Sequence, residues 1–168
     1  SLLDLARADT GCMYLRPEDI NLNELVNDVV KMSERSHQRQ IKIDADVKNI
    51  KLYTDRDCLS QALTHLIENA VKYSPIDQPI LIQLAQDHGQ ITIQVRDFGC
   101  GIASEQQQRI FEPFYRVDDT RCRNTGGVGL GLALVKTLIE HIDGQIQLWS
   151  QPGEGSLFTI TLPAQLKS

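Results

Sequence analysis

Clustered positive charge is missing from this chain. Its 17 Lys and Arg residues are outnumbered by 22 Asp and Glu, giving a formal net charge of -5, and they form no dense basic block. A surface that tracks a nucleic-acid backbone needs such a block, so no nucleic-acid partner is expected, whereas a nucleotide needs only a few local cations. Long apolar runs are missing too. No segment approaches the roughly 20 residues that span a bilayer, and there is no basic-then-apolar leader. Cysteine is sparse and unpatterned: Cys12, Cys58, Cys100 and Cys122 have neither metal-ligand spacing nor the density of a secreted scaffold. They read as free thiols in a reducing, cytoplasmic setting. Internal repeats and low-complexity segments are absent. So are Gly-x-x-x-x-Gly-Lys-Ser/Thr and a Gly-x-Gly-x-x-Gly placed after a strand in a parallel βαβ unit, which makes the two common nucleotide-binding folds poor matches.

What is present suits one α+β core with a short appendage, since 41% of the 168 residues are hydrophobic. Residues 1–9 carry Leu2, Leu3, Leu5 and Ala6 at helical spacing and look like the end of a helix, broken at Thr10-Gly11. A charged turn around Arg16 to Asp19 leads to Asn21 and Glu24, a capping box, and Leu22, Leu25, Val26, Val29 and Val30 predict a helix to about His37. Ile41, Ile43 and Ala45 alternate with polar residues, and residues 50–53 form a short segment expected to pair beside them. Asp55 opens a second helix through Leu59, Ala62, Leu63, Leu66, Ile67 and Ala70, with Pro75 beyond its end. Two alternating runs, Ile80/Ile82/Leu84 and Ile91/Ile93/Val95, flank Asp87-His88-Gly89 and predict a hairpin. A helix over 131–142 and two strands around Ile146/Leu148 and Phe158/Ile160/Leu162 complete the chain. This order predicts a two-layer α/β sandwich with a mixed, mostly antiparallel sheet and helices on one face.

The chemistry concentrates in four stretches. Asp97 continues the two-residue period of Ile91, Ile93 and Val95, so its carboxylate emerges on the apolar side, where it needs a hydrogen-bond donor such as the amino group of adenine. Gly99 and Gly101 let the backbone approach a planar ring; the alternative is a turn former with glycine punctuation. On the second helix, His65, Asn69, Lys72 and Tyr73 share the polar face. The Asn69 amide oxygen suits Mg²⁺, Lys72 counters phosphate charge, Tyr73 supports ribose or base, and Glu68 orients Lys72 or a metal-bound water. An ordinary solvated face is the competing explanation. Gly126, Gly127, Val128, Gly129, Leu130 and Gly131 lead into a helix and can present N–H groups to phosphates, with Val128 and Leu130 too apolar for a free linker. Between the glycine clusters, Phe111-Glu112-Pro113-Phe114-Tyr115-Arg116 reads as an aromatic clip anchoring a polar lid, and Arg116 is the favoured phosphate contact over Arg121 and Arg123.

Through these residues the chain resembles the catalytic ATP-binding domain of bacterial two-component sensor histidine kinases, in the superfamily of the Bergerat fold that also holds Hsp90, type II topoisomerase and MutL ATPases. The resemblance covers about residues 21–162: an asparagine segment from His65 to Ser74, a first glycine box from Asp97 to Gly101, a phenylalanine box Phe111-Glu112-Pro113-Phe114 and a second glycine box from Gly127 to Leu132. It implies a sandwich with a left-handed connection that binds ATP and Mg²⁺ under a lid at about 114–128. Asn69 would be the metal ligand, Lys72 and Tyr73 would assist phosphates and nucleotide, and Asp97 would recognise adenine. Gly99 and Gly101 would shape the base pocket, and Gly127, Gly129 and Gly131, with Val128 and Leu130 between them, would surround the phosphates. His65 departs from the family, which usually has Asn there, while many hydrolysing relatives have a water-activating Glu.

The resemblance also implies a division of the chain. Residues 1–16 would end a dimerisation helix and linker, and 17–168 would form the catalytic domain. None of His37, His88 and His141 has the setting of a phosphoacceptor. The implied function is phosphorylation of a histidine in an adjoining dimerisation domain, followed by relay to an aspartate of a response regulator. The isolated chain would be monomeric and the parent homodimeric, cytoplasmic, and either membrane-anchored or soluble. The alternatives are a degenerate ATP-binding regulatory module, or an ATPase or serine kinase of the same superfamily.

Overall fold

The computed structural model describes residues 14–116 and 131–166. Two helices begin as their sequences dictate. α1 (Leu22–His37) is capped by Asn21, whose side chain accepts the Glu24 N–H at 3.2 Å. α2 (Arg56–Tyr73) is capped by Asp55, which accepts the Cys58 N–H at 3.0 Å and, through its other oxygen, the Arg16 N–H at 2.8 Å. Such caps satisfy donors that the first helical turn leaves orphaned. α3 (Ser104–Gln107) is a single turn, and α4 (Gly131–His141) carries Leu134, Val135, Leu138 and Ile139 on its buried side.

The main sheet has the order β2-β4-β5-β7-β6, built from β2 (Ile41–Ala45), β4 (Ile80–Asp87), β5 (Gln90–Asp97), β6 (Gln145–Gln151) and β7 (Gly155–Pro163). Only β2 and β4 pair in parallel, so the sheet is mixed and mostly antiparallel, as expected. The β4–β5 hairpin turns through His88 and Gly89 at φ 49° and 77°, the positive pair that suits a two-residue loop between twisted strands. Register stacks Ile82, Val95, Phe158 and Leu148 in one row and Leu84, Ile93, Ile160 and Ile146 in the next. These rows meet the apolar faces of α1, α2 and α4 in a single core, while Thr92, Gln94 and Arg96 alternate onto the other face.

One pairing differs from expectation. Residues 50–53 do not pair beside Ile41–Ala45. They lie in β3 (Lys51–Asp55), which pairs antiparallel with β1 (Pro17–Asn21) in a separate two-stranded sheet. The segment expected as a charged turn is therefore mostly strand. Pro17, Glu18 and Asp19 have poor intrinsic strand preference, but Pro fits the first position of a strand and the partner's ladder decides the rest. Residues 1–9, expected as a helix end, lie outside the described residues. Among those described, no helix is long and apolar enough to cross a membrane.

Candidate functional site

The site gathers at the C-terminal end of β5. Asp97 is only 3% exposed. Its Oδ1 accepts the Gly99 N–H at 2.9 Å, and the Ser156 N–H also bonds to it. Burial nevertheless dominates and pushes its carboxyl above the usual range, against these two N–H donors and the nearby Arg96 guanidinium. A carboxylate removed from water favours its protonated form unless further donors reach it.

Three glycines let backbone strands close around this carboxylate. A Cβ on Gly99 would sit 2.1 Å from the Tyr73 carbonyl oxygen, so the loop after β5 lies directly against the end of α2. Gly101 has φ +74° and leaves 2.0 Å between a notional Cβ and the Gln151 oxygen. Gly155, at φ +93°, would meet the Asp97 carbonyl oxygen at 2.1 Å. A hydroxyl network ties the loop down: Ser150 Oγ accepts the Ile102 N–H at 2.8 Å and bonds to the Gly155 carbonyl and the Ser156 hydroxyl. Gln107 Nε2 donates to the Ile102 and Ser150 carbonyls at 2.9 and 3.0 Å.

The α2 residues line the adjoining wall. His65 Nδ1 lies 3.6 Å from Glu68 Oε2, and Asn69 is half-buried one residue further on. Glu68 thus faces His65. The Lys72 ammonium stands 5.5 Å from the Tyr73 ring centroid. Partial burial, and then the neighbouring Arg116 guanidinium, hold Lys72 below the ordinary lysine range. Two cations close enough to disfavour each other make a place where an anion is stabilised.

The aromatic clip is half as expected. Phe111 packs edge-on against Phe158 of the core at 6.3 Å between centroids, with Ile110 buried beside it in the chain. Phe114 does not anchor: it is 53% exposed, at φ 67°. A left-handed backbone at that position turns the chain before the ring can reach the core. Arg109 stacks on Tyr115 at 4.5 Å. Gly131 opens α4, with nothing within 4 Å of a notional Cβ. Gly127, Val128, Gly129 and Leu130, with Arg121, Arg123 and most of the lid, lie outside the described residues. Cys58 is buried outside any disulfide, but Cys100 is disulfide-bonded, which corrects its reading as a free thiol. Spacing along a chain does not report which sulfurs a fold brings together.

Sequence reasoning missed Gly155, Ser150 and Ser156 of the Asp97 surround. Gly155 lay in a run of turn residues, where a glycine needs no special explanation, and no local pattern marks a serine whose partners are backbone groups across a sheet.

Residues 54–166, spanning α2, the Asp97 loop and the closing strands, match the model of the histidine kinase-, DNA gyrase B-, and HSP90-like ATPase family. The chain belongs to that ATPase family. Along 170 aligned residues it is 36% identical to the sensor-like histidine kinase SenX3 of Mycobacterium bovis, covering 99% of this chain and 41% of SenX3. It is 34% identical to the sensor protein kinase WalK of Staphylococcus aureus over 168 residues, 98% of this chain and 40% of that protein. The chain thus spans about two fifths of the length of these curated relatives. Among solved structures, the mycobacterial sensor histidine kinase MprB superposes with a TM-score of 0.75 at 25% identity, covering 90% of this chain and 100% of that one. Full-length ShkA in complex with AMPPNP gives 0.80 at 24% identity, over 99% of this chain and 36% of ShkA, and supports the fold. The chain corresponds to the catalytic ATPase domain of these sensor kinases, and the mixed-sheet α+β architecture is theirs.

Proposed function

We propose that this ATPase domain binds ATP with Mg²⁺ and transfers the γ-phosphoryl group to a histidine of an adjoining dimerisation domain, for relay to an aspartate of a response regulator. The observation that carries the reading is Asp97, a carboxylate held 3% exposed at a strand end with its Gly99 neighbour pressed on α2. Adenine offers the exocyclic amino donor that this carboxylate needs, and Gly99 and Gly101 let the loop after β5 pack against the Tyr73 and Gln151 carbonyls and so hold that carboxylate in place. Tyr73 supports the nucleoside. Lys72 and Arg116 take phosphate charge, joined by the second glycine box from Gly127 through Val128, Gly129 and Leu130 to Gly131.

Asn69 fits a hard cation through its amide oxygen, with His65 and Glu68 beside it. Among the described residues no group of three or more His, Cys, Asp or Glu gathers into a metal site. When bound, an Mg²⁺ ion would offset phosphate charge, and such an ion usually keeps phosphate oxygens and waters among its ligands. In the transfer, a bond forms between the unprotonated ring nitrogen of the acceptor imidazole and the γ-phosphorus while the bond to the β,γ-bridging oxygen breaks; ADP leaves with that electron pair, and the proton on the other ring nitrogen passes to water. The work of this chain is positioning: Asp97 fixes the base, and the Lys72 and Arg116 cations hold the phosphates in line.

In the same reading, residues 1–16 form the end of a dimerisation helix and linker and 17–168 the catalytic domain. The isolated chain is monomeric, the parent protein homodimeric, and the domain works where ATP is, in the cytoplasm. The test is calorimetric titration with AMPPNP, with and without Mg²⁺, followed by transfer from ATP to a separately supplied dimerisation domain. Saturable binding strengthened by Mg²⁺ and labelling of the acceptor histidine are expected. Binding without any transfer would favour a regulatory module, and absence of binding by the folded chain would refute the ATP site.

A further inference from the structure

Arg39 is a buried guanidinium far in sequence from the pocket, and it makes no ion pair among the described residues. It is 7% exposed, in the connection between α1 and β2. Nη1 donates to the Val71 and Ser74 carbonyls at 3.2 and 3.3 Å. Nη2 donates to Ser74 Oγ and the Pro75 carbonyl, both at 2.7 Å, and to the Gln78 carbonyl at 3.1 Å. All five acceptors belong to the last turn of α2 and the chain just beyond it.

That helix end needs such help. α2 stops at Ser74, which is extended at φ -104°, ψ 148°, rather than at a glycine in the left-handed region. Its final carbonyls therefore lack the usual Schellman partners, and a planar cation with a fork of donors substitutes for them, with the favourable sign for the negative end of the helix dipole. Between the clamped Val71 and Ser74 carbonyls lies Tyr73, whose own carbonyl oxygen is the surface that leaves no room for a Cβ on Gly99. Gly99 in turn donates its N–H to Asp97 Oδ1.

We propose that Arg39 is a positioning residue for nucleotide recognition: by clamping the end of α2 it fixes the Tyr73 carbonyl, against which the Gly99 loop sets the Asp97 carboxylate. The role of Asp97 rests on the reading above, whereas the link from Arg39 to the Gly99 amide does not. Arg39 would touch no nucleotide. A lysine keeps the charge but presents its donors from one point and cannot span five acceptors.

The test uses the full 168-residue chain as parent, Arg39→Lys and, as a milder lesion, Ser74→Ala, each checked for folding by circular dichroism. Amide exchange of Gly99 is compared with that of Ile93 in the β5 ladder, without nucleotide, and ADP affinity is measured by calorimetry well below the melting temperature. Arg39→Lys is expected to exchange Gly99 at least tenfold faster with Ile93 unchanged, and to bind ADP at least tenfold more weakly. Ser74→Ala should move both in the same direction by less. Gly99 and Ile93 protection falling together, or ADP affinity within twofold of the parent in a folded variant, would make Arg39 a stability residue only and overturn the proposal. Should the parent itself fail to bind ADP, the ATP reading falls, and the Gly99 exchange still decides whether Arg39 governs the loop. Should Arg39→Lys fail to fold, Ser74→Ala decides alone, and unchanged Gly99 exchange in it would refute the coupling.

Discussion

Replacing Asp97 by Asn separates recognition from stability. The amide oxygen can keep the Gly99 N–H bond that Oδ1 now accepts at 2.9 Å, but an NH₂ group then stands where the second carboxylate oxygen was, and it meets the adenine amino group donor to donor. A hydrogen bond to a charged group contributes about 1.5–3 kcal/mol, and about 1.4 kcal/mol is tenfold in affinity, so AMPPNP binding should weaken by about 10- to 150-fold. Stability without nucleotide follows a different rule. Burial raises the Asp97 carboxyl above its ordinary 3.8. Its contribution to folding is therefore fully present below that value and is lost as pH rises through the raised native value. The melting temperature of the parent minus that of Asp97→Asn should fall as pH rises across that window and level off above it. Calorimetric titration near neutral pH and melting curves across a pH series measure both effects. An affinity within threefold of the parent, or a melting difference that grows with pH, would refute the reasoning.

Gly99→Ala places a methyl 2.1 Å from the Tyr73 carbonyl oxygen, a backbone atom that cannot rotate away. Overpacking of this kind costs about 1–3 kcal/mol, which thermal melts should register together with weaker ADP binding. Asn69→Ala should leave AMPPNP binding in EDTA nearly unchanged and abolish its strengthening by Mg²⁺, a difference visible in paired titrations. The Lys72 ammonium, held below 10.5 by burial and Arg116, should regain its proton when phosphates arrive. Between the lowered native value and 10.5, binding should take up protons, and calorimetry in buffers of different ionisation enthalpy would detect that uptake and its loss in Lys72→Met.

The sequence made the placement of Asp97 legible because it follows a local period. Asp97 lies two residues beyond Val95 on a strand whose alternation is unbroken, and it is buried as that period requires. The faces of α1, α2 and α4 and the β4–β5 hairpin were readable for the same reason. Pairings that depend on distant segments were not. β2 joins β4 in parallel across an intervening strand and helix, and β3 turns to β1. Hydrophobic pattern allows either partner for a short half-buried strand, so register is decided by the helices between. Arg39 was illegible for a related reason: four of its five acceptors are backbone carbonyls 32–39 residues away, and carbonyls leave no signature in a sequence.

Charge placement divides the site into a part completed within the chain and a part that a ligand completes. The Arg39 guanidinium is buried, yet its five acceptors stand in for lost water. Asp97 and Lys72 differ, because each is shifted toward its neutral form, the carboxyl upward and the ammonium downward. An amino donor at the first and phosphate at the second would reverse both shifts, so adenine and phosphate bound as proposed would relieve costs that burial imposes on these two groups. Binding energy gained in this way also stabilises the native state by mass action, about 2.7 kcal/mol at a hundredfold excess over Kd. Arg39 lies on the opposite side of this division: its clamp on α2 should hold equally with and without nucleotide, so that the wall against which Asp97 is set does not itself have to be ordered by the ligand.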